Sequence, residues 1–119
     1  MKIKVHEIGD IRIAEIVSDE ILINSPEEAL QLIVDLYYQD FSKIIIREEN
    51  IIPGFFDLKT GIAGEVLQKF SNYKAQLTIV GSFTKYPGKS IRDFIFESNK
   101  GRQVNFLESV EQAVERWSK

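Results

Sequence analysis

The chain has 119 residues, 44% apolar and 28% charged, the proportions of one globular domain with a single core. It has no cysteine, which excludes disulfides, thiolate metal sites and cysteine nucleophiles. A net charge of −3 argues against non-specific nucleic-acid binding, and apolar runs such as Ile44-Ile45-Ile46 fall far short of the ~20 residues that span a bilayer.

The opening Met1-Lys2-Ile3-Lys4 alternates as a strand does and lacks the apolar run of a signal peptide, so a cytoplasmic protein is expected. Alternation continues through Ile8, Gly9-Asp10 is a two-residue turn signal, and Ile11, Ile13 and Glu15 share a face opposite Arg12, Ala14 and Ile16. These features predict a β-hairpin over Lys2 to Val17, followed by an extended connection through Ile21–Ile23. Ser25-Pro26-Glu27-Glu28 carries a cap, a first-turn proline and a capping-box glutamate. It predicts a helix to about Tyr38 with Ala29, Leu30, Ile33, Val34 and Tyr37 inward.

Lys43 to Arg47 is apolar on both faces, as a central covered strand is. Asn50 to Phe56 reads as a loop, and a second helix is expected from Asp57 or Leu58 to Asn72, with Ile62, Ala63, Val66, Leu67 and Phe70 on one face. Gly61 and Gly64 inside that helix suggest close approach by a neighbour, since each costs about 1 kcal/mol relative to alanine. Ala75–Val80 is a second buried strand ended by Gly81. A third helix is expected over Ser90–Ser98, with Ser90 and Asp93 as capping pair and Gly101 as left-handed terminator. Gln103–Phe106 is a last short strand, and Ser109–Trp117 a helix with Val110, Ala113, Val114 and Trp117 inward. The order ββαβαβαβα implies an α/β fold: a mostly parallel sheet with an antiparallel edge hairpin at its amino terminus.

In such sheets ligands sit at the carboxyl ends of the strands. Two loops then hold the candidate residues. Glu48 on the first, with Ser82, Lys85, Tyr86 and Lys89 on the second, could bind a small anionic ligand. Asp57, Lys59, Thr60 and Gly61 form a candidate phosphorylation or anion-binding motif, if Thr60 lies in the first turn of a helix. Alternatively Asp57 is a plain cap and Thr60 a bystander. Ile51, Ile52, Phe55 and Phe56 are either an exposed patch for a protein partner or second copy, or core residues closing the sheet end. His6, the sole histidine, has no neighbour at metal-ligand spacing and is expected to face solvent. No catalytic, metal or cofactor motif is present: there is no Gly-x-Ser-x-Gly, Walker A or dinucleotide fingerprint.

The stretch Phe55 to Phe70 together with Ser98-Asn99-Lys100-Gly101-Arg102 resembles the bacterial domain-of-unknown-function family 4180 over essentially the whole chain. That resemblance implies no activity. A more distant similarity links Lys43–Trp117 to the STAS domain, the fold of anti-sigma factor antagonists. In those proteins a kinase phosphorylates the serine before the glycine of an Asp-Ser-Ser-Gly motif, switching partner binding. The resemblance aligns Asp57 with the start of that motif and Thr60-Gly61 with its end, with Leu58-Lys59 adding one residue between. It implies a non-enzymatic regulatory or interaction module. A binder of a small anionic ligand, and an enzyme of unknown reaction, are the alternatives.

Overall fold

Alternating apolar side chains and a glycine turn produce the hairpin. Strands β1 (Lys2–Ile8) and β2 (Ile11–Val17) pair antiparallel, with Ile8 opposite Ile11 across Gly9-Asp10. Gly9 takes a left-handed φ of 58°, as a two-residue turn with glycine first requires. The structure, a computed structural model, describes residues 1–119. The chain continues through α1 (Pro26–Tyr37), β3 (Lys43–Arg47), α2 (Ile62–Asn72), β4 (Gln76–Val80), α3 (Lys89–Lys100), β5 (Val104–Leu107) and α4 (Val110–Trp117). The five strands lie in the order β1-β2-β3-β4-β5, with β2 to β5 parallel. The expected α/β architecture and element order are therefore those observed.

Each parallel strand is added beside its predecessor, and the three crossover helices lie on the same face. There Ala14, Ile16, Ile44, Ile46, Leu77, Ile79 and Phe106 form the main core with Ala29, Ile33, Leu36, Val66, Phe70 and Ile91. The opposite face has one helix: α4 sets Ala113 and Trp117 on Ile13 and Ile45. A sheet wound in one direction has no switch point, the place where loops diverge and a deep ligand crevice opens.

Several expectations are corrected. On α1 the buried stripe is Ala29, Leu32, Ile33 and Leu36, one position around from that expected, and Tyr37 is exposed. Ser25 does cap the helix, accepting from the Glu28 N–H at 3.2 Å, and Glu28 reaches back to the Asn24 N–H. Helix α3 starts at Lys89 after Gly88, without a side-chain cap. Asp93 pairs with Lys89 instead of capping with Ser90. Gly101 has φ −97°, so it is not a left-handed terminator.

The two glycines near the start of α2 have different roles. Gly61 has φ 78° and turns the chain into the helix. Gly64 has an ordinary backbone, and a Cβ there would meet nothing within 4 Å, so no neighbour requires it. Gly64→Ala is expected to raise stability by about 0.5–1 kcal/mol, measured as a higher midpoint in urea.

Candidate functional site

The segment between β3 and α2 is built from three 3-10 turns, Glu48–Asn50, Pro53–Phe56 and Leu58–Thr60, rather than an open loop. Its apolar residues point inward. Ile51, Phe55 and Phe56 are 3%, 0% and 5% exposed and belong to the main core; Ile52 is half-buried. Phe55 packs edge-on against Phe56 and lies beside Phe106, and Phe56 stacks on Tyr86 with centroids 4.5 Å apart. Of the two readings left open for this segment, closure of the sheet end is the one observed. It is not a free apolar patch.

Thr60 is not in a helix. Helix α2 begins at Ile62, and Thr60 ends the preceding 3-10 turn, where the Asp57 carboxylate accepts from the Lys59 N–H at 3.2 Å. The Thr60 hydroxyl lies 2.8 Å from the Gly54 carbonyl and 2.9 Å from that of Asp57, sharing its proton between them, and accepts from the Ile62 N–H. It clamps the 54–57 turn to the start of α2. Thr60 thus lies just before the first turn of α2 rather than within it as expected, and its hydroxyl is already engaged by three main-chain groups.

The two carboxyl-end loops do meet, with Glu48 at the junction. Its side chain is 12% exposed, and Lys85 Nζ lies 2.9 Å from Oε2. The Tyr86 hydroxyl donates to the same oxygen, and the Ser82 N–H donates to Oε1 at 3.3 Å. Burial, then the bond to the Glu48 carboxylate, pushes the Tyr86 phenol well above its usual range. Gly81 makes this arrangement possible. A Cβ at Gly81 would stand 2.7 Å from the Glu48 Cβ, closer than real atoms approach. Glu48, Ser82, Lys85 and Tyr86 thus converge. Lys89 does not join them, because its ammonium is held by Asp93 at 2.8 Å on the surface of α3. The centre of the cluster is a carboxylate that already neutralises Lys85, which disfavours an anion there.

The second polar cluster lies on the α4 face. Glu15, 5% exposed, receives His6 Nε2 on one oxygen and Arg47 Nη2 on the other, each at 2.7 Å. Arg47 also donates to the Ile16 carbonyl. His6 is therefore half-buried and partnered, not solvent-facing. Burial pushes the Glu15 carboxyl up, but bonds from His6 and Arg47 and their charge outweigh it, holding the group below its ordinary 4.5. A depressed folded-state value means that the contribution to stability is present above about pH 4.5 and lost as pH falls through the folded value. Glu15→Gln is expected to cost about 1–3 kcal/mol at neutral pH. The difference from wild type in denaturant titrations should narrow as the pH falls below about 4.5 and through the depressed folded-state value, where the wild-type carboxylate is lost to protonation.

Sequence reasoning missed the most buried polar side chain, Asn50. It is 0% exposed, donates to the Ser18 and Glu20 carbonyls at 2.9 Å each, and accepts from the Arg47 N–H. With Ile23 bridged to Ile51, it ties the β2–α1 connection to the loop. Nothing in the local pattern marks it, since its partners are main-chain carbonyls some thirty residues away. Glu15 had a legible signal: a carboxylate between Ala14 and Ile16 in an apolar strand needs a cation, and Arg47 ends the next strand. No three His, Asp or Glu side chains are grouped to hold a metal ion. No helix is long and apolar enough to cross a membrane.

The sequence model of a family described as Domain of unknown function (DUF4180) matches residues 8–117. None of the curated proteins matches the chain. Among solved structures, a candidate anti-sigma factor antagonist from Thermotoga maritima is similar at a TM-score of 0.46 and 14% identity, covering 98% of this chain and 95% of that one.

Proposed function

The chain belongs to the DUF4180 family, a domain of unknown function, and we propose that it is a non-enzymatic protein-interaction module. One observation carries this reading: the reactive side chains at the strand carboxyl ends are engaged with one another. Glu48 holds Lys85, Tyr86 and the Ser82 N–H, and the Thr60 hydroxyl serves two carbonyls.

Three of the four tyrosines supply the contact surface. Helices α1 and α2 pack side by side, and both run back against the parallel strands, so their carboxyl ends share one end of the molecule. Tyr37, Tyr38 and Tyr73, at those ends, are 63%, 81% and 47% exposed. Tyrosine is enriched in interfaces because it offers a large rigid apolar body with a polar tip. Affinity capture from cells of the source organism, with wild type and the triple Tyr37→Ala, Tyr38→Ala, Tyr73→Ala variant as baits, tests this. A protein held by wild type and lost by an equally stable variant is expected. Identical captures would reject the surface.

A second reading, a small anionic ligand, has one observation in its favour. A cavity of about 730 Å³ lies between Asp57–Lys59 and Tyr86–Ile91, walled by Phe56, Leu58 and Ile91. Lys59 at its rim has no ion-pair partner. A thermal-shift screen of phosphorylated metabolites should move the melting temperature in wild type and less in Lys59→Gln. Flat traces would reject this reading.

A further inference from the structure

The two edges of the sheet are finished differently. On β5, the even-numbered residues turn their main-chain groups outward, and α3 covers them. Asn99 Oδ1 accepts from the Phe106 N–H at 2.7 Å, Asn99 Nδ2 donates to the Phe106 carbonyl at 3.1 Å, and the Ser98 hydroxyl donates to the Val104 carbonyl. One side chain thus mimics a neighbouring strand, and the edge is closed.

On β1 nothing does this. The two-residue turn makes Ile8 and Ile11 a hydrogen-bonded pair, so the main-chain groups of Lys4 and His6 face β2, and those of Ile3, Val5 and Glu7 face outward. No loop, cap or side chain bonds to these outward groups. The strand is seven residues long, free of proline, and Val5 is 43% exposed. We propose that β1 is the docking edge for an extended segment of a partner protein, added as a sixth strand, in which acidic residues alternate with β-branched apolar ones.

Charge chooses the occupant. Lys2, Lys4 and His6 share the face of the sheet that carries α4, and Ile3 and Val5 share the other. An added strand sets its own side chains directly opposite, where unlike charges stabilise and like charges destabilise. Acidic residues therefore belong opposite Lys2 and Lys4, and apolar residues opposite Ile3 and Val5. A second copy is disfavoured. Antiparallel self-pairing that continues both faces sets Lys4 opposite His6 when centred on Val5, and opposite itself one step along. Lysines on an open edge deter self-association for this reason. Main-chain bonds would supply affinity and the alternating side chains specificity. This inference needs the chain to be an interaction module but does not need the tyrosine surface: the two lie on different elements and are tested by different variants.

The test is titration of the ¹⁵N-labelled full chain with two capped seven-residue peptides, one alternating Glu and Val, the other Lys and Val, followed through backbone amides. The Glu–Val peptide is expected to perturb Ile3, Val5 and Glu7 first, and to bind about tenfold more tightly than the Lys–Val peptide, from two or three cross-strand pairs changing sign. The Lys2→Glu, Lys4→Glu variant should reverse that preference. Val5→Pro removes an outward N–H that the sheet does not use and should abolish binding of both peptides, while the β4 amides keep their positions. Perturbation elsewhere, equal affinities, or no binding would overturn the proposal. Concentration-dependent self-association that Val5→Pro removes would also overturn it, by giving the edge to a second copy.

Discussion

Phe55→Ala lowers the free energy of unfolding by about 3–5 kcal/mol, the range for deleting a fully buried aromatic ring. Phe55 is 0% exposed and touches both Phe56 and Phe106, so its loss opens a cavity lined by two rings on separate elements. Relaxation is limited, because Phe56 is held in turn by its stack on Tyr86, which Glu48 fixes. The midpoint in urea reads the loss directly. An unchanged midpoint would return Phe55 to the surface as a partner-binding residue, and the burial described above would be wrong. Phe55→Leu, which keeps most of the apolar volume, should recover more than half of the effect.

Asn50→Ala has the next largest effect, about 2–3 kcal/mol, because truncation leaves two carbonyls without their donor. Those carbonyls belong to Ser18 and Glu20, near the surface, so water replaces part of the loss. The distinctive readout is local. Hydrogen exchange at the Leu22 and Ile23 amides, both donating to the Asn50 carbonyl, should accelerate more than exchange in β4. Asn50→Asp should fare no better, since a carboxylate cannot donate to the two carbonyls and its charge would be buried. Uniform acceleration across the molecule would show that Asn50 contributes only to global stability.

These two residues mark where the sequence was and was not legible. Strands and helices with a clear period, such as the hairpin and the run Ile44–Ile46, could be placed because burial on one face or both leaves a pattern of two, of 3.6, or of none. From Glu48 to Gly61 the chain makes short 3-10 turns, which repeat too briefly to show a period. Ile51, Phe55 and Phe56 could therefore be recognised as apolar but not assigned to the inside or outside. Polar pairing was partly legible. Glu15 and Arg47 sit at consecutive strands with complementary charge, whereas Asn50 and Asn99 bond to main-chain atoms, whose positions no side-chain pattern encodes. The convergence of Glu48 with Ser82, Lys85 and Tyr86 followed from the rule that consecutive parallel strands bring their carboxyl ends together. The exclusion of Lys89 depended on a helix beginning one residue earlier than its apparent cap.

The sequential strand order also bears on how the chain is made. Every strand from β2 onward finds its only earlier partner already synthesised, so the sheet can lengthen from one side as residues leave the ribosome. No strand must be inserted later between two existing ones. The face carrying Ile13 and Ile45 is different: its cover, with Ala113 and Trp117, is α4, which follows all five strands in the chain. Until α4 has been made and has docked, that face stays wet, and during this interval the nascent chain is most exposed to chaperones and to aggregation.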